Sequence, residues 1–410
     1  MLPDLIPVRQ RFGAARVDDL PGAVRRALEA LHLELRIHPG MTVGIPAGSR
    51  GIRHIPLILR EAVRYVRSLG AQPLVVAAMG SHGGGTADGQ RAVLSGLGIT
   101  EESVEAPIRT DVEAEVVGRA ADGTPVYFDR NLLQTDGLLV INRVKPHTSF
   151  RGSVESGLVK MLVVGCGKPS GAKLFHSLGA AELGPRLREF GAISLSRLPI
   201  LGGVAILENQ AEETADVVPL QPEGFLEAEA RLLERAWQLL PGLPVSALDL
   251  LVVDRIGKEY SGTCMDTNVI GRVRIPGIPE AGPDIRRIVA LDLSDASHGN
   301  ANGVGLADLV TRRLVSKIDF PATYLNCLTA TFVERAKIPI TLDSDRAVIE
   351  AALQTVGSPH APRIARIKNT LELEDLLLSP AALAQLRPEA SLEVVGAAQP
   401  WPFDSTGNLF

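Results

Sequence analysis

Short, nearly continuous apolar runs alternate with amphipathic stretches from about residue 40 onward. Met41-Thr-Val-Gly-Ile, Pro73-Leu-Val-Val-Ala-Ala-Met, Asp136-Gly-Leu-Leu-Val-Ile-Asn and Ile200-Leu-Gly-Gly-Val-Ala-Ile-Leu each read as a strand. Runs without in–out alternation are the mark of parallel strands buried on both faces. Between them, helical periodicity passes through residues 57–66, with Gly70 as terminator, and through 90–94. A charged amphipathic helix over 223–240 precedes Pro241-Gly-Leu-Pro, a break of the kind that separates elements or domains. The rhythm restarts with strands at 248–254 and 288–293, followed by helical patterns at 305–315 and 345–356. No fixed-period repeat of the solenoid type is present. The pattern predicts an α/β protein of two α/β domains with largely parallel sheets. Residues 1–245 would form the N-terminal domain and 246–410 the C-terminal one, with the last residues packing back on the first.

Composition narrows the class. The chain has 410 residues, 45% hydrophobic and 22% charged, enough for more than one core and close to the soluble average. Aromatics are only 4%, against 40 glycines and 28 prolines, which suits an aliphatic core with many tight turns. A net charge of -5 with no long basic run argues against nucleic acid as a partner. No apolar window reaches the length of about eighteen residues that a membrane span needs. The N-terminus lacks the charged-then-apolar order of a secretory signal. Three scattered cysteines without a CxxC pair predict reduced thiols and a cytoplasmic setting.

In open α/β sheets ligands bind beyond the carboxyl ends of the strands, so the post-strand turns are where chemistry belongs. His82 lies in Gly80-Ser-His-Gly-Gly-Gly after the second strand, and His147 in Lys145-Pro-His-Thr after the third. His176 follows the Gly-rich Gly165-Cys-Gly-Lys-Pro-Ser-Gly. A histidine so placed suits acid–base work because its pKa lies near neutrality; taken singly, each could equally be a surface or capping residue. Lys160 sits in the apolar run Ser156-Gly-Leu-Val-Lys-Met-Leu-Val-Val-Gly, where a lysine either snorkels to solvent or is a desolvated amine with a covalent task. Gly165, Gly167 and Lys168 could hold a phosphate through backbone amides and an ammonium. Arg50 and Arg53, after the first strand, suit a carboxylate substrate. In the second half, Lys258, Glu259, Asp266, Asn268 and Arg272 populate a polar loop that contacts substrate or caps its own turns.

Taken in order, these landmarks resemble the nickel-dependent lactate racemases and the wider hydroxyacid racemase and epimerase family, over most of the chain. His82 and His147 resemble the family's two catalytic histidines, and Lys160 the lysine that carries its nickel-pincer nucleotide through a thioamide link. His176 resembles the histidine that ligates nickel. Ser49 and Arg53 resemble the serine and the carboxylate-steering arginine, while Arg50 stands where those racemases carry an acidic residue. The resemblance implies an isomerase that inverts the hydroxyl-bearing carbon of a 2-hydroxy acid or sugar acid by hydride transfer to and from the cofactor. It further implies an active site in a cleft between the two domains and cofactor-synthesis enzymes as partners. Substrate contacts are expected from Ser49, Arg53, Lys258, Asp266, Asn268 and Arg272, and cofactor contacts from Gly165, Gly167 and Lys168. Two other readings stay open: a hydrolase or phosphotransferase using the Gly/Lys segment, and a non-catalytic cofactor carrier.

Overall fold

The computed structural model describes every residue except Met1, Ala14, Arg50, Ala281, Ser358, Pro359 and Glu389. Of the residues read above as chemical, Arg50 therefore lies outside the described residues. The chain divides into two compact units, one spanning Gly13–Leu240 and the other combining Met1–Phe12 with Pro241–Phe410.

The first strand, β1 (Ile6–Gln10), belongs to the second of these units. The unit Gly13–Leu240 contains β2 (Thr42–Ala47), β3 (Gln72–Ala77), β4 (Ile108–Arg109), the hairpin β5 (Ala114–Arg119) and β6 (Pro125–Asp129), β7 (Gly137–Arg143), β8 (Ile200–Glu208) and β9 (Thr214–Leu220). Six of these strands form one sheet in the order β4-β3-β2-β7-β8-β9. Every neighbouring pair is parallel except β8 with β9. Val43, Ile45, Val75, Leu139, Ile141, Val204 and Ile206 are buried in its core, as the unbroken apolar runs require. The strands after β2 are added on one side, and β7 returns to pair on the other. The sheet therefore has a topological switch point between the carboxyl ends of β2 and β7.

The second unit holds β10 (Ala247–Ile256), β11 (Asp284–Leu293), β12 (Leu309–Thr311), β13 (Ile340–Leu342), β14 (Ile364–Ile367), β15 (Asp375–Leu378) and β16 (Leu392–Val394). With β1 they form a sheet in the order β13-β12-β11-β10-β14-β15-β1-β16. Its half from β13 to β14 is parallel, and β14, β15, β1 and β16 pair antiparallel. Two expectations are corrected here. The stretch 305–315 is not one helix: Leu309 and Val310 are drawn into a strand between β11 and β13, with a 3-10 turn at Val304–Leu306 before it and the α-helical Arg312–Ser316 after it. Residues 1–12 do not join the Gly13–Leu240 unit, because β1 is held between β15 and β16 with Val8 in the core. The C-terminal residues stay in this unit too: Leu5 bridges Gln399 and shares a core with Trp401. Among the described residues, no helix is long and apolar enough to cross a membrane.

A charge at Val8, which is 1% exposed, would be buried without a partner. Val8→Asp is expected to lower stability by about 3–5 kcal/mol in guanidinium titration, with hydrogen exchange accelerated in β14 and β15 before it changes in β2 or β7.

Candidate active site

The carboxyl ends of β2, β3, β7 and β8 lie on one edge of the sheet because the strands are parallel. Just beyond β2, the Ser49 hydroxyl lies 2.5 Å from His82 Nδ1. His82 comes from the turn after β3, where Gly80, Gly83, Gly84 and Gly85 all take positive φ. Gln90 is fully buried beneath this turn and donates to the carbonyls of Gly80 (2.9 Å) and His82 (3.4 Å). Ser49 thus engages one of the two ring nitrogens of His82. Arg53 is exposed, but its turn is pinned, since its backbone amide donates to Glu208 at the end of β8 (2.8 Å). The other oxygen of Glu208 pairs with Arg143 at the end of β7.

His147 lies in an excursion closed at its neck by the antiparallel bridge between Lys145 and Ser156. Buried Glu155 accepts the His147 amide at 2.6 Å, and burial raises the Glu155 pKa. Arg151 donates to the His147 carbonyl at 2.5 Å. The imidazole stacks on Phe150, with centroids 4.2 Å apart. Its Nδ1 accepts the Ser149 amide at 3.0 Å. A neutral ring whose Nδ1 accepts a hydrogen bond carries its proton on Nε2. In this conformation His147 therefore presents a donor, and acting as a base at Nε2 would require the Ser149 bond to be released.

Lys160 ends the short helix Leu158–Lys160, which leads into the π-helical turn Met161–Gly165. Its ammonium lies 6.0 Å from the centroid of the same Phe150 ring. His176, on the helix Lys168–Ser177, has its pKa lowered to about 4, by burial first and by the nearby Lys160 second. Among the described residues, His176 Nδ1 is buried and makes no hydrogen bond. His147, Phe150 and Lys160 thus adjoin one another, and the Lys160 charge reaches His176. The π-helical turn ties this group to the β3 end, where the Gly80 amide donates to the Gly165 carbonyl at 3.1 Å.

The chain is similar in fold to the lactate racemase apoprotein from Thermoanaerobacterium thermosaccharolyticum. The two share 11% identity, the match covers 83% of this chain and 87% of that one, and the TM-score is 0.46. No protein-family model matches the sequence. No curated protein matches it either.

Several residues expected at the site have partners within the protein. Lys168 is fully buried, donates to the Ala77 carbonyl at 2.6 Å and pairs with Asp129 at 2.7 Å. It is therefore not presented to a phosphate. Gly165 and Gly167 allow close backbone approach: a Cβ would lie 2.6 Å from the Ala78 carbonyl at one and 2.4 Å from the Val163 carbonyl at the other. Ser49, expected to touch substrate, is a partner of His82. In the other unit, Arg272 spans Asp308 and the carbonyls of Leu306 and Ile285, which ties strands and loops together. Asp266 caps the turn Thr267–Ile270 by accepting the Asn268 amide. Lys258 stands just beyond β10, its ammonium held by the Gly262 carbonyl and Asn326 Oδ1. Gln90, Phe150 and Glu155 were missed in the sequence. Their only local signal was that each lies within eight residues of a histidine already singled out.

Removing Lys168 leaves a buried carboxylate unpaired, so Lys168→Ala should cost about 3–5 kcal/mol in chemical denaturation. His176 should stay neutral at pH 6 in nitrogen-15 spectra of the cofactor-free chain, where an ordinary histidine is largely charged. Its depressed pKa carries a definite sign. The unfolded chain takes up the proton first, so the contribution to stability is full above about 6.5 and is lost as the pH falls toward about 4.

Proposed function

We propose that this chain is a racemase or epimerase that inverts the hydroxyl-bearing carbon of a 2-hydroxy acid. We propose further that it works with a nickel-pincer nucleotide joined to Lys160 and ligated by His176. The observation that carries the reading is the buried, unpartnered Nδ1 of His176 within electrostatic range of the Lys160 ammonium. A neutral imidazole nitrogen with no hydrogen-bond partner is suited to a metal, and a lysine amine is a group that can take covalent attachment. Among the described residues, no group of three or more His, Cys, Asp or Glu could hold a metal by itself. A metal at His176 would then take its remaining donors from the group that brings it. The residues present fit the cofactor.

When bound, that cofactor supplies the hydride acceptor that protein side chains lack. The chain's own residues do the rest. His82, oriented when its Nδ1–H donates to Ser49, takes the substrate hydroxyl proton at Nε2. His147 donates from Nε2 to the substrate oxygen while Ser149 holds its Nδ1. Work from the opposite face needs His147 as base, and so needs that amide bond to open. The Arg53 guanidinium receives the substrate carboxylate, its turn fixed through Glu208. Lys258, Asp266 and Asn268 are proposed contacts for a larger, polyhydroxylated acid. The phosphotransferase reading loses its support because Lys168 is engaged with Asp129. A carrier would need Lys160 and His176 but not a Ser49–His82 pair.

The test is intact mass and metal content of the chain co-expressed with cofactor-synthesis enzymes. A nucleotide-sized adduct with about one nickel per chain, both lost in Lys160→Ala, is the expected result. An unmodified, nickel-free chain beside a control racemase that loads normally would overturn the assignment. In the loaded enzyme, His82→Gln should reduce kcat by about 10²–10⁴-fold on whichever hydroxy acid the chain turns over.

A further inference from the structure

The turn that carries Lys160 has no cap of its own. Its N-cap position is Gly157, which offers no side chain to the first amides of Leu158–Lys160. The acceptor comes from 70 residues further along the chain. Glu229, on the helix Phe225–Leu239, places Oε2 2.9 Å from the Val159 amide. Glu229 is fully buried, and among the described residues its Oε1 makes no hydrogen bond. A Cβ at position 157 would stand 2.2 Å from that oxygen, so glycine there and the acid here are mutually dependent. The Gly157 carbonyl is in turn held by Asn142 at the end of β7, at 2.8 Å. Residue 229 falls on the buried stripe of its helix with Phe225, Leu232, Leu233 and Ala236, where an aliphatic side chain would pack without the cost of desolvating an acid. Burial pushes its pKa up to about 7, and no charged side chain contributes to the shift.

We infer that Glu229 is a positioning residue for Lys160. It caps from another helix the turn that aims the lysine amine, and this rests on the reading of Lys160 as the attachment point. A cap supplied by the helix behind also couples the lysine turn to β8, against which that helix packs through Phe225 and Gly203.

The experiment uses the full cofactor-free chain. Acetic anhydride labels Lys160, mass spectrometry quantifies it against exposed Lys173, and thermal melting verifies folding. Glu229→Ala should lower relative Lys160 labelling roughly tenfold, the scale of a lost cap. Adding Gly157→Ser, which gives the turn a cap of its own in the space vacated, should restore it. Glu229→Gln keeps an acceptor at the same place and should label as the native chain does. Unchanged labelling in folded Glu229→Ala overturns the inference. So does a loss that Gly157→Ser leaves in place, since that outcome assigns Glu229 to packing. If Glu229→Ala does not fold, a folded Glu229→Gln with reduced labelling overturns it equally. These readouts need no cofactor. A native chain that never loads nickel would therefore defeat the proposed function while leaving the capping role to stand or fall by labelling.

Discussion

The parallel register of β2, β3, β7 and β8 is the constraint on which the site depends. Parallel strands deliver all their carboxyl ends to one edge, so Ser49, His82, His147 and Glu208 arrive there from segments far apart in sequence. The reversal of strand order between β2 and β7 opens the edge at that point. Such a sheet must be covered on both faces, which fixes the aliphatic composition and leaves polar side chains to the turns.

Polar groups packed behind those turns then hold the candidate side chains in place. Gln90 supports the His82 turn, Glu155 and Arg151 hold the His147 excursion, and Glu229 holds the Lys160 turn. Each satisfies backbone amides or carbonyls that an irregular loop would otherwise leave unpaired. The two histidines consequently differ. Serine at Nδ1 of His82 can donate or accept, whereas the Ser149 amide at Nδ1 of His147 can only donate. The proton positions of the two rings are thus set by different rules, and a reaction that uses both must accommodate that asymmetry.

Much of this was legible along the chain. Continuous apolar runs predicted β2, β3, β7, β8, β10 and β11, because strands buried on both faces leave no alternation to misread. His82 and His147 could be singled out because a polar turn after a buried strand is a placement with chemical meaning. Lys168 misled for a physical reason: a lysine between glycines looks like a phosphate ligand, yet Asp129, far from it in sequence, neutralises it in the core. Leu309–Thr311 misled because three residues are too few for a period to distinguish strand from helix, and pairing with β11 and β13 decided the matter.

The sequence by itself determined the α/β class, the strands of the core and the histidines at their ends, since these follow from local periodicity and turn chemistry. Only the tertiary structure decided which polar groups act on one another. The Ser49–His82 contact, the pairing of Lys168 with Asp129, the cap that Glu229 gives to the Lys160 turn and the capture of β1 by the C-terminal sheet all join residues distant in sequence. A hydrogen bond or ion pair depends on separation in space, and no local pattern records that separation until the chain has folded.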